Sequence, residues 1–99
     1  MPEEGRVEAV AAQMRLLGDP TRLRILWALG QGESDVGCLA ELAGAGAPTV
    51  SQHLAKLRLA GMVKPRREGQ RMVYELIDPA VRALLTQLLE GTGGAGVRS

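Results

Sequence analysis

The stretch VGCLAELAGAGAPTVSQHLAKLRLAGMVKPRREGQRMVY, residues 36–74, decides the fold. Val36, Leu39, Ala40 and Ala43 recur as one face of a short helix over about 35–43. Gly44, Ala45 and Gly46 come next, and small residues let two helices meet at a tight turn. Val50, Leu54 and Leu57 form the inward stripe of a further helix over about 47–60, which Gly61 ends. Residues 62–67 and 71–77 read as strands around Glu68, Gly69 and Gln70. A tightly joined helix pair followed by a basic hairpin is the arrangement of a winged helix-turn-helix.

Working outward, Val7, Val10, Ala11, Met14 and Leu17 predict a first helix over about 3–17, closed by Gly18. Asp19 is an N-cap residue with Pro20 in the first turn, so a second helix runs over about 20–29 with Leu23, Leu26 and Leu29 inward. Asp78 and Pro79 repeat that signal before a last helix carrying Val81, Leu84, Leu85, Leu88 and Leu89. The expected fold is mainly α, with five helices and a two-strand wing in one domain over 6–90. Residues 1–5 are expected to be flexible, and the glycine-rich residues 91–99 disordered.

A chain of 99 residues with one Trp, one Tyr and no Phe has a thin, aliphatic core. Val7, Val10 and Met14 on the first helix, and Val81, Leu84, Leu85, Leu88 and Leu89 on the last, exceed what that core can cover. A homodimer built on these two helices is therefore expected. One cysteine excludes an internal disulfide and a thiolate-rich metal site within one chain. No signal peptide or membrane-length apolar run is visible, which predicts a soluble cytoplasmic protein without a membrane partner. One His, one Cys and no convergent acid–base cluster argue against an enzyme.

The net charge of +1 conceals an asymmetry. Residues 47–75 hold six cations against two anions, and the remainder six against nine, so +4 and −3 sum to +1. The basic segment can follow a phosphate backbone. Gln52 can contact adenine through two hydrogen bonds, and Thr49 and Ser51 can bond bases or phosphates. Lys56, Arg58, Lys64, Arg66, Arg67 and Arg71 suit phosphates. His53 has three readings: orienting the recognition helix by a hydrogen bond, contacting DNA, or binding a metal. Cys38 reads as an inert small residue, because Glu41 one turn away disfavours a thiolate.

From Leu17 onward the sequence resembles the ArsR/SmtB family of bacterial winged-helix regulators. The strings carrying the resemblance are LGDPTRLRIL at 17–26, VGCLAEL at 36–42, VSQHLAKLRLAGMV at 50–63 and RMVYEL at 71–76. It implies a homodimer formed by the first and last helices and operator binding by the fourth helix and wing. It also implies repression relieved by an inducer, often a metal ion. Metal-sensing members place two cysteines on the third helix, where this chain has Asp35 and Gly37, with Cys38 one place beyond. Others use an Asp, two His and a Glu near the last helices, where this chain has Asp78, Ala80, Gly91 and Gly94. Neither ligand set is present.

A sequence-specific, dimeric DNA-binding regulator is therefore the leading expectation. A divalent ion such as nickel, cobalt or zinc could act through a non-standard site among Glu3, Glu4, Glu8, Asp78, Glu90 and His53. The alternative is a winged-helix interaction module that needs a partner protein for specificity, since Ala47 and Pro48 offer few base-reading groups.

Overall fold

Asp, Pro and Gly punctuation starts and stops the helices close to where the sequence predicts. The computed structural model describes residues 3–91. Helix α1 spans Glu4–Leu17 and α2 spans Pro20–Gln31. A short strand β1, Ser34–Asp35, precedes α3 at Val36–Ala43 and α4 at Ala47–Leu59. Strands β2, Val63–Glu68, and β3, Arg71–Leu76, form the wing, and α5 follows at Pro79–Leu85. The chain then widens into a π-helical turn, Thr86–Gly91.

Side-chain caps explain three of the starts. Asp19 Oδ2 accepts from the Arg22 amide at the head of α2, and Asp35 Oδ1 from the Cys38 amide at the head of α3. Asp78 Oδ1 accepts from the Ala80 and Val81 amides at the head of α5. Each cap satisfies helix amides that otherwise lack a partner.

The core lies where α2, α3 and α4 meet the base of the wing. Ile25, Leu26, Leu39, Val50, Leu54, Leu57 and Met62 are fully buried there, joined by Leu29, Val63, Leu76, Val81 and Leu85. Burying one such side chain contributes about 1.5–3 kcal/mol. Val50, Leu54 and Leu57 are thus the inward face of α4, as their spacing predicts.

Four expectations are corrected. The wing sheet has three strands in the order β1-β3-β2, because Ser34 and Asp35 pair with Tyr74 and Val73. Glu68 pairs with Arg71, so only Gly69 and Gln70 turn the hairpin. Glu4 and Gly5 belong to α1 rather than to a flexible terminus. Val81 and Leu85, expected on the dimer face, are each 3% exposed and belong to the protomer's own core. The reason is that the first turns of α5 pack back onto α2, and the uncovered residues fall further along. Of the tail expected at 91–99, Gly91 ends the π-helical turn, and residues 92–99, with residues 1 and 2, lie outside the described residues.

Candidate nucleic-acid interface

The helix-turn-helix is built by two similar helix ends. Gly44 (φ 68°) ends α3, with the Ala45 amide donating to the Ala40 carbonyl and the Gly44 amide to Glu41. Gly61 (φ 76°) follows α4, with the Met62 amide donating to Leu57 and the Gly61 amide to Arg58. Both are Schellman motifs, and their left-handed position favours glycine. In the second, Met62 and Leu57 are both fully buried, which fixes the angle at which the wing leaves α4.

With Val50, Leu54 and Leu57 inward, Thr49, Ser51, Gln52, Lys56 and Arg58 stand exposed on α4. The hydroxyl and amide groups occupy its first half. Lys56 and Arg58 occupy the last turn, where cations also favour the negative helix end. Amide and hydroxyl side chains near the start of a recognition helix suit base edges, and cations suit phosphates.

The wing register places its cations on two faces, and ion pairs hold two of them. Side chains alternate along β2, so Lys64, Arg66 and Glu68 share one face while Pro65 and Arg67 share the other, Arg67 beside Met72. Arg66 pairs with Glu33, and its Nη1 lies 3.5 Å from Glu68 Oε2. Arg71 Nη1 lies 3.0 Å from Asp35 Oδ2, and its Nη2 3.2 Å from Glu68 Oε1. The Glu33 hydrogen bond holds the Arg66 guanidinium above its ordinary range, and the Arg71 hydrogen bond holds the Glu68 carboxyl below its own. Among the described residues, Lys56, Arg58, Lys64 and Arg67 make no ion pair. Of the four wing cations named from the sequence, Arg66 and Arg71 are thus ion-paired and Lys64 and Arg67 are not.

His53 is turned to α2. Its side chain is 17% exposed, Arg22 Nε donates to its Nδ1 at 3.1 Å, and its Nε2 lies 3.9 Å from Asp19 Oδ2. Of its three sequence readings, the geometry supports the orienting hydrogen bond. Arg22, which the sequence reading did not single out, is the partner. Its distance of 31 positions from His53 left no local signal. The amide of Arg22 is the main reason that Asp19 is held below the ordinary carboxylate range.

The weak metal candidates are not brought together. Asp78 caps α5, and its Oδ2 accepts from Gln13 Nε2 at 3.5 Å. Glu90 accepts from Gln31 at 3.2 Å, Glu3 is the N-cap position of α1, and Glu4 lies in its first turn. Among the described residues no three His, Cys, Asp or Glu side chains form a group that could hold a metal ion. The candidates named from the sequence therefore do not come together as one ligand set among the described residues of one protomer. Cys38 is exposed. No described helix is long and apolar enough to cross a membrane.

Apolar residues away from the wing remain uncovered. Val7, Val10 and Met14 on α1 are 48, 42 and 49% exposed, and Leu88 and Leu89 are 58 and 49% exposed. Leu84 is half-buried against the core.

An exposed polar recognition face beside a basic three-stranded wing defines a winged helix-turn-helix DNA-binding protein. Residues 19–64 match the family model described as "Bacterial regulatory protein, arsR family". The chain is 42% identical over 96 residues to the HTH-type transcriptional regulator KmtR of Mycobacterium tuberculosis, covering 97% of this chain and 73% of that one. The crystal structure of the transcriptional repressor BigR from Xylella fastidiosa superposes with a TM-score of 0.79 at 36% identity, covering 86% and 87%. The homodimeric winged helix-turn-helix DNA-binding domain of Mb0332 from Mycobacterium bovis gives 0.76 at 33% identity, covering 85% and 78%. The chain belongs to the ArsR family and is a DNA-binding transcriptional regulator, not an enzyme.

Proposed function

We propose that the chain is a homodimeric repressor of a two-fold symmetric DNA operator. Ser51 and Gln52 read base edges in the major groove, Thr49 and His53 support that face, and Lys56, Arg58, Lys64 and Arg67 neutralise phosphates. Arg66 and Arg71 join them by exchanging a protein carboxylate for a phosphate. The observation that carries this reading is the exposed Thr49, Ser51, Gln52 and Lys56 face of α4, opposite the buried Val50, Leu54 and Leu57. The exposed Val7, Val10 and Met14 face, with Leu88 and Leu89, supports pairing of two chains. The structural relatives named as a repressor and as a homodimer support it further.

Repression on this reading is occlusion of a promoter by the bound dimer. Among the described residues one protomer gathers no ligand set for a divalent ion, so no residue is given that role in this reading. The test is Gln52→Ala, with affinities measured on a duplex selected by the wild-type protein and on each of its single base-pair variants. Discrimination should fall by ~1–3 kcal/mol at one base pair in each half-site. An unchanged specificity profile would remove Gln52 from the base-reading set.

A further inference from the structure

Arg22 touches α1, the cap of α2 and α4 at once. It sits half-buried in the first turn of α2. Its Nη1 donates to the Leu16 carbonyl at 3.1 Å, in the last turn of α1. Its Nε donates to His53 Nδ1 at 3.1 Å, in the middle of α4. Its amide donates to Asp19 Oδ2 at 3.0 Å, the cap of α2.

We propose that Arg22 is a positioning residue for DNA recognition: through His53 it sets the rotation of α4, and through the Leu16 carbonyl it ties that setting to α1. This rests on the reading of α4 as the base-reading helix. The buried stripe of α4 is aliphatic, and the burial of apolar surface has no preferred direction of its own. A hydrogen bond from a charged donor is directional and stronger than a neutral one. His53 follows Gln52 directly, so a bond that fixes the imidazole fixes the azimuth at which Gln52 leaves the helix.

The chemistry needs these two side chains. An arginine carries donors in a rigid fork and can hold the Leu16 carbonyl and the imidazole together, whereas a lysine is a single point donor. Nδ1 accepts only when it carries no proton, so the neutral ring holds its proton on Nε2, on the side of Asp19. The far end of the chain of contacts is α1, whose exposed Val7, Val10 and Met14 face is the candidate dimer surface. The azimuth of α4 is thereby linked to the element expected to join two protomers.

The experiment compares wild type, His53→Asn, His53→Leu, Arg22→Gln and the Arg22→Gln/His53→Leu double variant. Each binds two probes, a duplex selected by the wild-type protein from a randomised pool and a scrambled duplex of equal length. Circular dichroism and light scattering monitor fold and assembly. His53→Asn keeps an acceptor near the Nδ1 position and should bind the selected duplex within about threefold of wild type. His53→Leu and Arg22→Gln should each lose roughly tenfold on that duplex, a coupling typical of one hydrogen-bonded network. Binding to the scrambled duplex and the salt dependence should not move, because no phosphate contact is lost. The double variant should be no weaker than either single one.

Additive losses in the double variant would overturn the proposal. So would a His53→Asn variant as weak as His53→Leu, or a loss on the scrambled duplex equal to that on the selected one. If Arg22→Gln lowers helix content, the two His53 variants decide the matter alone. A silent His53→Leu beside an active Gln52→Ala overturns this inference only. A silent Gln52→Ala removes Gln52 from the base-reading set on which this inference rests.

Discussion

Asp19 shows how much one carboxylate can do in a small domain. It caps α2, it lies beside His53, and the Arg22 amide keeps it ionised below the ordinary carboxyl value of 3.8. Glu68 is likewise held below its ordinary 4.5, chiefly by Arg71. A carboxyl with a lowered folded pKa stabilises the fold fully above its unfolded value, and that stabilisation is lost as pH falls through the folded value. Urea midpoints should therefore be flat at neutral pH and fall below about pH 4.5, with a shallower fall in Asp19→Asn. Asparagine also caps a helix, so an acid limb unchanged in that variant would count against the lowered carboxyl pKa of Asp19. Asp19 and Pro20 were legible as a helix start because capping is a local signal. The role of His53 was legible only as one of three, because its partner lies on another helix.

At the scale of elements, the helix-turn-helix was readable and the wing only partly so. The buried positions of α4 repeat at helical spacing, and Gly44 and Gly61 mark ends that favour a left-handed residue. Strand β1 has two residues, too few for any periodicity, and exists because β3 supplies its hydrogen bonds from about forty positions away. With β1 unseen, the pairing of Glu33 and Asp35 with wing arginines was also unseen. That pairing has a measurable consequence. On the proposed reading Arg67 would reach a phosphate without giving up a partner, whereas Arg66 would exchange Glu33 and Glu68 for one. Arg67→Ala should reduce the slope of log affinity against log salt by about 0.9 for each lost contact, and Arg66→Ala by clearly less. Equal reductions would show that the carboxylates do not shield Arg66 in solution.

At the scale of the whole molecule, the apolar surplus seen in the sequence divides between core and surface. The composition showed that it existed, but not which leucines one chain could bury, since α5 fixes that only once packed on α2. Leu85 is 3% exposed and Leu88 58% exposed, so two aspartate substitutions three residues apart should differ in kind. Leu85→Asp should unfold the protomer, because an unpaired charge cannot be buried there. Leu88→Asp should leave helix content intact and weaken assembly, as read by light scattering across a dilution series. Loss of fold in both would remove the distinction between core and interface. If two copies of the chain present two copies of α4 to DNA, selection by the wild-type protein from a randomised duplex pool should enrich a two-fold symmetric sequence with half-site centres about one helical turn, ~34 Å, apart. Enrichment of a single asymmetric half-site, or no enrichment over the starting pool, would contradict it.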